Sequence, residues 1–527
     1  MLAPSAVPAG RLEGVLVSVS VAPDAARATR RDWVGLCVLA GAVMLVAVDG
    51  TVLDIALPFL SADLQPSGTE LLWIIDIYSF VLAGLLVTMG TLGDRIGRRR
   101  LLLIGSVGFG LSSVVAAFAV DPAMLIAARI MQGVAGATLM PATLGLIRSM
   151  FTNPGERTLA IGVWGAMAGG GAAAGPVIGG VLLEHFWWGS VFLINVPVMI
   201  VLVVAGPIAI PESKDPAPGA FDLLGAVLSI VAIVPLVYVV KEAVAHGLGV
   251  ELLPIALVGL ASGWAFVRRQ RRSTSPMIDL SLFAQRQFST AVITNLLSIF
   301  ALAGVLFFGS QYLQSVLGLS PLAAGLFLIP GTAANMAASL LAAYLVRRWQ
   351  PGTVLTAGLL IGALGALVLT RLGTVDGRLT FVAAFVAVGV AAGLALTLTS
   401  DLVIGSVRPE RAGAASAVSE TAYELGIALG VAVLGSVVLG IFRSGVDVTG
   451  LTAENAGHAR ETLGEAVALA GSLPSEVGDV LRASAQAAFV DGMHAAATVT
   501  AAILLANAAL VAWALRRRSS QVSTTKE

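Results

Sequence analysis

Six ionisable residues lie inside long apolar stretches of the sequence, five of them acids and one a base: Asp49, Asp54, Asp76, Arg129, Glu420 and Glu424. A charge at the middle of a bilayer costs about 2.5–3.5 kcal/mol on insertion scales, so such residues must face one another or water. Five acids cannot all pair with one base. At least one carboxyl group should therefore be protonated or await a cation, and it could exchange the two because they compete for one negative charge. A purely structural ion-pair network is the alternative, and the excess of acids argues against it.

Glu420 and Glu424 are four residues apart, which places them on one face of a helix. Aromatic ring faces attract cations, so aromatic residues in the same apolar stretches are candidates for the wall of a cation-binding cavity. The candidates are Trp73, Tyr78, Trp164 and Tyr423. Trp73 lies near the end of its apolar stretch, where interfacial aromatic residues are common.

The sequence predicts no metal, cofactor or nucleic-acid partner. The four histidines lack metal-ligand spacing, Cys37 is the single cysteine and excludes an intramolecular disulfide, and the formal net charge is zero. No Gly-x-x-x-x-Gly-Lys-Ser/Thr phosphate-binding loop occurs, so we expect energy to come from an ion gradient.

The composition is that of an all-α integral membrane protein. Hydrophobic residues make up 57% of the 527 and charged residues 12%, against about 25% charged in soluble domains. The apolar residues form blocks of roughly 20, long enough to cross a ~30 Å hydrocarbon core as helices. No segment alternates polar and apolar residues as a barrel strand would. The 59 glycines allow helices to pack closely in lipid.

Fourteen membrane spans are predicted, with edges good to about four residues: 33–60, 70–92, 101–120, 122–149, 158–184, 189–210, 221–243, 250–267, 288–312, 321–345, 352–371, 379–401, 413–442 and 489–515. Lys and Arg concentrate in the loops of one side, as in cytoplasmic loops. This alternation predicts cytoplasmic N- and C-termini and would fail if one helix were missed. The opposite side carries only Lys241, Arg371, Arg378, Arg443, Arg460 and Arg482.

An internal repeat divides the chain into two six-helix halves. Glu156-Arg157 followed by Gly171-x-x-x-Gly175 is echoed eight spans later by Glu410-Arg411 and Gly426-x-x-x-Gly430. Facing repeats are how transporters build alternating access. The predicted divisions are a cytoplasmic tail (1–32), an N-terminal bundle (33–210), two inserted helices with a basic linker (211–287), a C-terminal bundle (288–515) with a long outer loop (443–488), and a cytoplasmic tail (516–527). The polar segment Ala453–Gly471 of the outer loop is a candidate surface helix.

Four motifs in the expected order resemble the fourteen-helix drug:proton antiporter branch of the major facilitator superfamily, over essentially the whole chain. They are Asp49-Gly-Thr-Val-Leu-Asp54-Ile-Ala-Leu-Pro58, Gly90-Thr-Leu-Gly-Asp94-Arg95-Ile-Gly97-Arg98-Arg99, Arg129-Ile-Met-Gln132-Gly133 and Gly171-x-x-x-Gly175-Pro176-x-x-Gly179-Gly180. The chain is most similar to exporters of quaternary ammonium compounds and methyl viologen. The resemblance implies the major facilitator fold with two helices inserted between the halves.

The resemblance also implies roles for residues of the spans. It assigns proton coupling to Arg129, through a charge pair with Asp49 or Asp76 that breaks on protonation. Glu420 and Glu424 match a helix whose acids are implicated in cation recognition. Asp54 stands where many relatives have Asn, and its role is open.

Two of the four motifs, the second and the fourth, are expected to act through the backbone and are called the gating motif and the antiporter motif. The gating motif is a tight loop whose acid caps a neighbouring helix end and latches the cytoplasmic gate: Gly90, Asp94, Arg95, Gly97, Arg98 and Arg99. The alternative is that its arginines only anchor the topology. The antiporter motif is expected to pack helices closely and to kink span 5 at its proline: Gly171, Gly175, Pro176, Gly179 and Gly180.

The predicted function is a proton-coupled exporter of lipophilic cationic drugs, working as a monomer in the bacterial inner membrane and catalysing no covalent chemistry. A dedicated exporter of one endogenous antibiotic, metabolite or lipid would use the same machinery. A membrane sensor or lipid-modifying enzyme would need an output domain or a His/Asp/Ser constellation, and neither is present in the sequence. A nutrient symporter is disfavoured by the Gly-Pro motif and the excess of acids.

Overall fold

A computed structural model describes residues 27–66, 68–216, 222–246, 249–273 and 276–516, in which the only regular secondary structure is helical. The N-terminal half contains α1 (Arg30–Leu64), α2 (Gly68–Ile96), α3 (Arg98–Ala117), α4 (Pro122–Met150), α5 (Pro154–His185), α6 (Ser190–Leu193) and α7 (Asn195–Ala209). The inserted helices are α8 (Leu223–His246) and α9 (Leu252–Arg272). The C-terminal half contains α10 (Arg286–Gln311), α11 (Pro321–Leu345), α12 (Pro351–Leu369), α13 (Arg378–Gly405), α14 (Ala412–Gly445), α15 (Ala453–Glu461), α16 (Leu463–Ser472) and α17 (Ser475–Arg516).

Several helices begin where the sequence supplies a capping residue. Thr29 and Asp32 form a reciprocal capping box at the start of α1. Asp121 and Asn153 cap α4 and α5, each directly before a proline in the first turn, where the missing amide hydrogen has no helical partner to lose. Ser320 does the same for α11. These local signals fix the ends of the membrane-length helices independently of packing.

Within the described residues, thirteen helices are long and apolar enough to cross a membrane, or fourteen if a bent pair within α5 counts as one span. The two segments of that pair, Pro154–Gly175 and Val177–His185, meet at 41° at the position of Pro176. All fourteen predicted spans have a counterpart, with α6 and α7 forming one of them.

The two halves repeat one packing scheme. In the first half α1 packs on α5, α4 on α2 and α3, and α3 on α7; in the second half α10 packs on α14, α13 on α11 and α12, and α12 on α17. The halves meet along two related seams, α2 against α14 and α11 against α5. This duplicated architecture, with α8 and α9 inserted between the halves, confirms the predicted fold class.

The inserted helices form a hairpin that lies against both halves, because α8 contacts α2 and α14. Asp222, just before α8, joins the hairpin ends: its carboxylate accepts hydrogen bonds from Arg269 Nε at 2.7 Å and Gln270 Nε2 at 3.1 Å. The buried Gln270 in turn accepts the backbone N–H of Met277 at 2.7 Å, which holds the linker to the hairpin.

The segment predicted as the outer loop is more ordered than expected. The candidate surface helix Ala453–Gly471 is two helices, α15 and α16, since Thr462 ends the first and caps the second. Ala459, Leu463 and Ala466 are buried in the core of the C-terminal half. The last helix begins at Ser475, so residues 475–488 extend it instead of lying in a loop.

Candidate functional site

An ion pair between Arg129 of α4 and Asp49 of α1 lies at the centre of the N-terminal half. Arg129 Nη1 is 2.9 Å from Asp49 Oδ2, and both side chains are almost fully buried. Arg129 Nε also donates to the carbonyl of Ile74 in α2 at 3.4 Å. The pairing predicted for Arg129 is therefore made with Asp49 in this conformation.

Three neutral side chains complete the surroundings of this pair. Gln132 accepts from Arg129 Nη1 at 3.2 Å and donates to Ser113 Oγ at 2.9 Å, while Asn195 Nδ2 donates to Asp49 Oδ1 at 2.7 Å and to Ser113 Oγ at 3.1 Å. All three are buried. Within a low-dielectric interior such a network fixes the geometry of its members. The sequence analysis missed Ser113 and Asn195, and only the position of Gln132 inside a motif gave a signal.

Tyr78 packs its ring against the base of this network. The Arg129 guanidinium lies over its ring, 4.4 Å from the centroid, a cation–π contact. The Tyr78 hydroxyl is buried without a hydrogen-bond partner in the part of the chain described, and lies within electrostatic range of Asp49, Arg129 and Glu424. Tyr423 of α14 packs against the hydrophobic core of the N-terminal half that contains Tyr78.

Glu420 and Glu424 lie on α14, which contacts α2 and α4. Glu420 is buried at 4% exposure, and within the described ranges it has no hydrogen bond or ion pair. Its charged neighbour is another acid, Glu424, which is half-buried. A buried carboxyl group beside a like charge favours protonation or a bound cation. The second half of the molecule thus carries an acidic site that differs from the neutralised pair in the first half.

The remaining predicted site residues do not belong to this charged cluster as the structure describes it. The side chains of three of them, Asp54, Asp76 and Pro176, are not among those described. Trp164 is not at the charged cluster: it is buried in the N-terminal core and donates its indole N–H to Thr143 Oγ1 at 3.0 Å. The assignment of this residue to a cation-cavity wall stays a prediction, and in this conformation its ring is buried. Trp73 stacks on Tyr238 of the inserted helix α8.

A latch joins the two halves at the end of the bundle that carries the basic loops, here called the basic end. Asp94 of α2 accepts the backbone N–H groups of Gly413 and Ala414, both at 3.0 Å, in the first turn of α14. A carboxylate is favoured at a helix N-terminus by free amides and the helix dipole. Gly90 lies one turn away, where a Cβ would come within 2.6 Å of the Gly413 carbonyl.

Arg98 extends the latch. Its fully buried guanidinium donates to Asp94 Oδ1 at 2.8 Å and to the carbonyls of Pro409 and Glu410 at 2.7 and 2.9 Å. A residue that serves only to orient the chain in a membrane needs no such cross-bundle contacts. They therefore favour the gating interpretation of Arg98, which stays a prediction.

The rest of the gating motif shapes the start of α3. Gly97 has a φ of +111°, a conformation that favours glycine. Glu212, missed by the sequence analysis, accepts the backbone N–H groups of Arg99 and Arg100. Arg99 donates to the carbonyl of Ile210 at 3.0 Å, which ties α3 to the end of α7. Arg95 is half-buried beside this turn.

A second contact between the halves lies at the basic end and was not predicted. Arg157 of α5 forms an ion pair with Asp401 of α13, and the same carboxylate accepts from Thr158 Oγ1 at 2.8 Å. Nearby, a Cβ on Gly162 would come within 2.5 Å of the Ser339 carbonyl in α11. The basic end is therefore closed in this structure. In the sequence, Arg157 is marked only by its place in the internal repeat.

The glycines of the antiporter motif differ in their surroundings, since some lie against α1 and one faces open space. A Cβ on Gly171 would come within 2.3 Å of the Met44 carbonyl in α1, and one on Gly175 within 2.0 Å of Thr51 Oγ1. Thr51 Oγ1 also donates to the Ala172 carbonyl at 3.2 Å. Gly179 is buried, whereas Gly180 is exposed and a Cβ there would meet nothing within 4 Å. The motif joins α5 to α1 through its first two glycines.

One group of possible metal ligands occurs in the described residues, His458, Glu461 and Glu465 of α15 and α16, whose ligand atoms lie within 4.8 Å of one another. All three are exposed, and exposed acidic groups are common without an ion. We assign no metal site to them.

Comparison with known proteins places these features in context. Residues 39–431 match the family model described as Major Facilitator Superfamily. The chain is 47% identical to the multidrug efflux pump LfrA of Mycolicibacterium smegmatis, over 94% of this chain and 98% of the relative. It is 39% identical to the methyl viologen resistance protein SmvA of Salmonella typhimurium, over 92% and 98%. It is 34% identical to a tetracenomycin C resistance and export protein of Streptomyces glaucescens, over 91% of each.

A solved structure shares the fold. The human organic anion transporter MFSD10 (TETRAN) superposes with a TM-score of 0.59 at 16% identity, covering 92% of this chain and 99% of that one.

Proposed function

The chain belongs to the Major Facilitator Superfamily, and from that premise we propose that it is an efflux pump that exchanges protons for lipophilic cationic drugs by alternating access. The observation that carries the proposal is the contrast between two buried acidic sites. Asp49 is neutralised by Arg129, whereas Glu420 has no basic partner among the described residues. One site is suited to sensing a proton and the other to holding a cation.

Proton coupling is assigned to the Asp49–Arg129 pair. Protonation of Asp49 removes the charge that holds Arg129, leaving the guanidinium with Gln132, the Ile74 carbonyl and the Tyr78 ring. Breaking a buried pair leaves an uncompensated charge, which is unfavourable by about 3–5 kcal/mol. That energy is enough to shift a conformational equilibrium by two orders of magnitude or more.

Substrate binding is assigned to Glu420 and Glu424. We assign a proton to Glu420 when the site is empty, because burial beside another acid disfavours its charged form, and a cation that enters displaces that proton. Tyr423 lies between the two acids in sequence and offers an aromatic face. A proton and a cationic drug therefore compete for this site, so binding of the drug releases a proton. Similarity to LfrA and SmvA, which are named for multidrug efflux and methyl viologen resistance, supports cationic drugs as substrates.

Asp94, Arg98 and the Arg157–Asp401 pair form the gate in this proposal. They close the basic end while the acidic sites lie deeper in the bundle. The excess of Lys and Arg at that end assigns it to the cytoplasm, with both termini on the same side and the protein in the bacterial inner membrane. We propose that the protein acts as a monomer, since each half supplies one of the two acidic sites.

A dedicated exporter of one natural product is the second candidate. Its support is the relative from Streptomyces glaucescens, which is named for resistance to and export of tetracenomycin C. Both functions use the same gate and coupling pair. They differ in breadth: a multidrug pump protects cells against several unrelated cations, a dedicated exporter against one compound.

Ethidium efflux from energised cells tests the proposal. The native chain should export ethidium until a protonophore collapses the gradient, and Glu420→Gln should lower the rate at least tenfold. Asp447→Asn, which removes an exposed acid outside the spans, is the matched control and should export normally. Export that persists with the protonophore present would overturn proton coupling. If the native chain moves no ethidium or other cation, the multidrug function fails and the dedicated exporter stands.

A further inference from the structure

A cavity of about 200 Å³ opens at the basic end. None of the acidic-site residues lines it, and it shares Ala414 with the latch. Its walls come from the linker after α9, the start of α10, the loop between α13 and α14, and the first turns of α14. Apolar side chains line most of it, among them Ile278, Leu282, Phe288 and Val418. Two arginines, Arg408 and Arg411, complete the lining together with Asp279 and Ser406.

The guanidinium groups of the two arginines are available to bind a ligand. Arg408 is exposed and Arg411 half-buried, and neither guanidinium donates a hydrogen bond to any residue in the described ranges. Arg411 is the counterpart, in the internal repeat, of Arg157, which forms an ion pair across the halves. The repeat is broken here: one arginine holds the gate, and its counterpart lines a cavity.

The carboxylate of Asp279 cancels one of the two positive charges of the lining and leaves the other. The Ser281 hydroxyl donates to its carboxylate at 2.6 Å and the Ser281 amide at 3.0 Å. These hydrogen bonds and the charge of Arg411 hold the pKa of Asp279 below its usual value, so it is ionised at neutral pH. With one carboxylate and two guanidinium groups, the lining keeps one net positive charge.

The cavity lies at the level where a membrane surface would be. The membrane-length segment of α10 begins at Arg286, that of α13 ends at Gly405 and the next begins at Pro409. An apolar pocket with arginines at this level matches the two parts of an anionic phospholipid. Basic pockets between transmembrane helices on the cytoplasmic side bind such headgroups, and a guanidinium binds phosphate oxygens in a bidentate manner.

We propose that this cavity binds the phosphate headgroup of an anionic phospholipid, with Arg408 and Arg411 holding the phosphate and the apolar lining holding the start of the acyl chains. The loop that carries both arginines also supplies the Pro409 and Glu410 carbonyls that bind Arg98, and Ala414 supplies an amide to Asp94. A lipid in the cavity therefore contacts the same short segment as the closed latch.

The test is binding of a short-chain fluorescent phosphatidylglycerol to the purified full chain in a non-ionic detergent, followed by fluorescence anisotropy. Arg408→Gln/Arg411→Gln should weaken binding at least tenfold. Arg271→Gln/Arg272→Gln is the matched control, because it removes the same charge from exposed residues at the same end and should bind as the native chain does. Equal binding by both double variants would overturn the proposal.

Two further arms separate the sources of phosphate and guard against misfolding. Phosphatidylcholine should bind much more weakly than phosphatidylglycerol, and inorganic phosphate should fail to displace the lipid at millimolar concentration; displacement would overturn the assignment to a lipid. Leu282→Trp keeps both arginines and fills the cavity from the linker, so it should also weaken binding. Native-like binding by this variant would exclude the apolar part of the site.

Discussion

At the scale of single residues, the proposed proton coupling depends on one base, Arg129, and on the groups that hold it in place. Arg129 Nη1 donates to Asp49 and Gln132, Nε donates to the Ile74 carbonyl, and the guanidinium lies over the rings of two aromatic residues, Tyr78 and Phe192. A guanidinium can satisfy all of them because it presents five donors in a plane, whereas an ammonium is a point charge with three. We therefore expect that charge alone is not sufficient at this position.

Arg129→Lys should impair coupling while preserving the fold. The lysine keeps a positive charge near Asp49 but cannot also reach Gln132 and the Ile74 carbonyl. The base that pairs with Asp49 is then no longer held in one orientation. We expect proton-driven ethidium transport in inverted vesicles to fall at least tenfold at an unchanged protein level. Full transport driven by an imposed pH gradient would contradict the role of Arg129.

The residues around the Asp49–Arg129 pair differ in how far they could be predicted from the sequence. A charge inside an apolar span is conspicuous, so Asp49, Arg129, Glu420 and Glu424 stand out in the sequence. Ser113 and Asn195 are ordinary polar residues, and Asn195 contacts a residue 146 positions away. No local pattern encodes such a contact, because it depends on how α3 and α7 cross α1.

At the scale of elements, α5 and α1 are joined by close glycine contacts. In a bilayer, helix association depends on close packing, since lipid tails compete equally for apolar surfaces. Gly171 meets the Met44 carbonyl, a backbone atom that cannot rotate away, whereas Gly180 faces open space. The motif as a sequence pattern does not distinguish these glycines, but the structure does.

Gly171→Ala should therefore separate α5 from α1, whereas Gly180→Ala should be tolerated. Overpacking a well-packed interface destabilises by about 1–3 kcal/mol. We expect Gly171→Ala to lower both thermal stability and ethidium efflux, with Gly180→Ala as the control that stays near the native values. The same loss in both variants would show that the motif acts through something other than contact with α1.

The inserted hairpin supplies a prediction that depends on pH. Burial would raise the pKa of Asp222, but hydrogen bonds from the Gly225 amide, Arg269 and Gln270 outweigh it and place that pKa below the ordinary value of 3.8. A lowered folded-state pKa contributes stability above the unfolded-state pKa and loses it as the pH falls through the folded-state value. Hydrogen bonds to a charged group contribute about 1.5–3 kcal/mol each.

Asp222→Asn should unfold at a lower temperature than the native chain at pH 7, and the two midpoints should converge as the pH is lowered below about 4. Intrinsic fluorescence during heating of the purified protein measures both. Glu251→Gln, an exposed acid at the other end of the hairpin, serves as control. A difference that stays constant down to pH 3 would exclude the charge of Asp222 as its cause.

At the scale of the whole molecule, the two halves are held together at the basic end by two sets of contacts. Asp94 and Arg98 bind the start of α14, and Arg157 binds Asp401 of α13. Spans and their number follow from runs of about 20 apolar residues, which is why all fourteen could be predicted. Asp401 was missed because it lies at the end of a predicted span, where a charge is unremarkable.

Asp401→Asn should open the basic end more often. Replacing Cys37 with Ser and Ser339 with Cys gives a single reporter in the α5–α11 seam, where Ser339 is fully buried. We expect maleimide labelling of that cysteine to speed up several-fold in Asp401→Asn, because the ion pair that holds α5 to α13 is lost. The charge swap Arg157→Asp/Asp401→Arg should restore slow labelling. Fast labelling in the swap would indicate that geometry, not charge pairing, closes the seam.

The measurement that tests the central claim most directly is proton release on drug binding. Purified protein in weakly buffered detergent solution receives tetraphenylphosphonium, a lipophilic cation, while a pH indicator follows the solution. Competition for Glu420 predicts that the native chain and Asp447→Asn release protons as the cation binds, and that Glu420→Gln releases few or none. Cation binding without proton release by the native chain would contradict exchange at a shared carboxyl group.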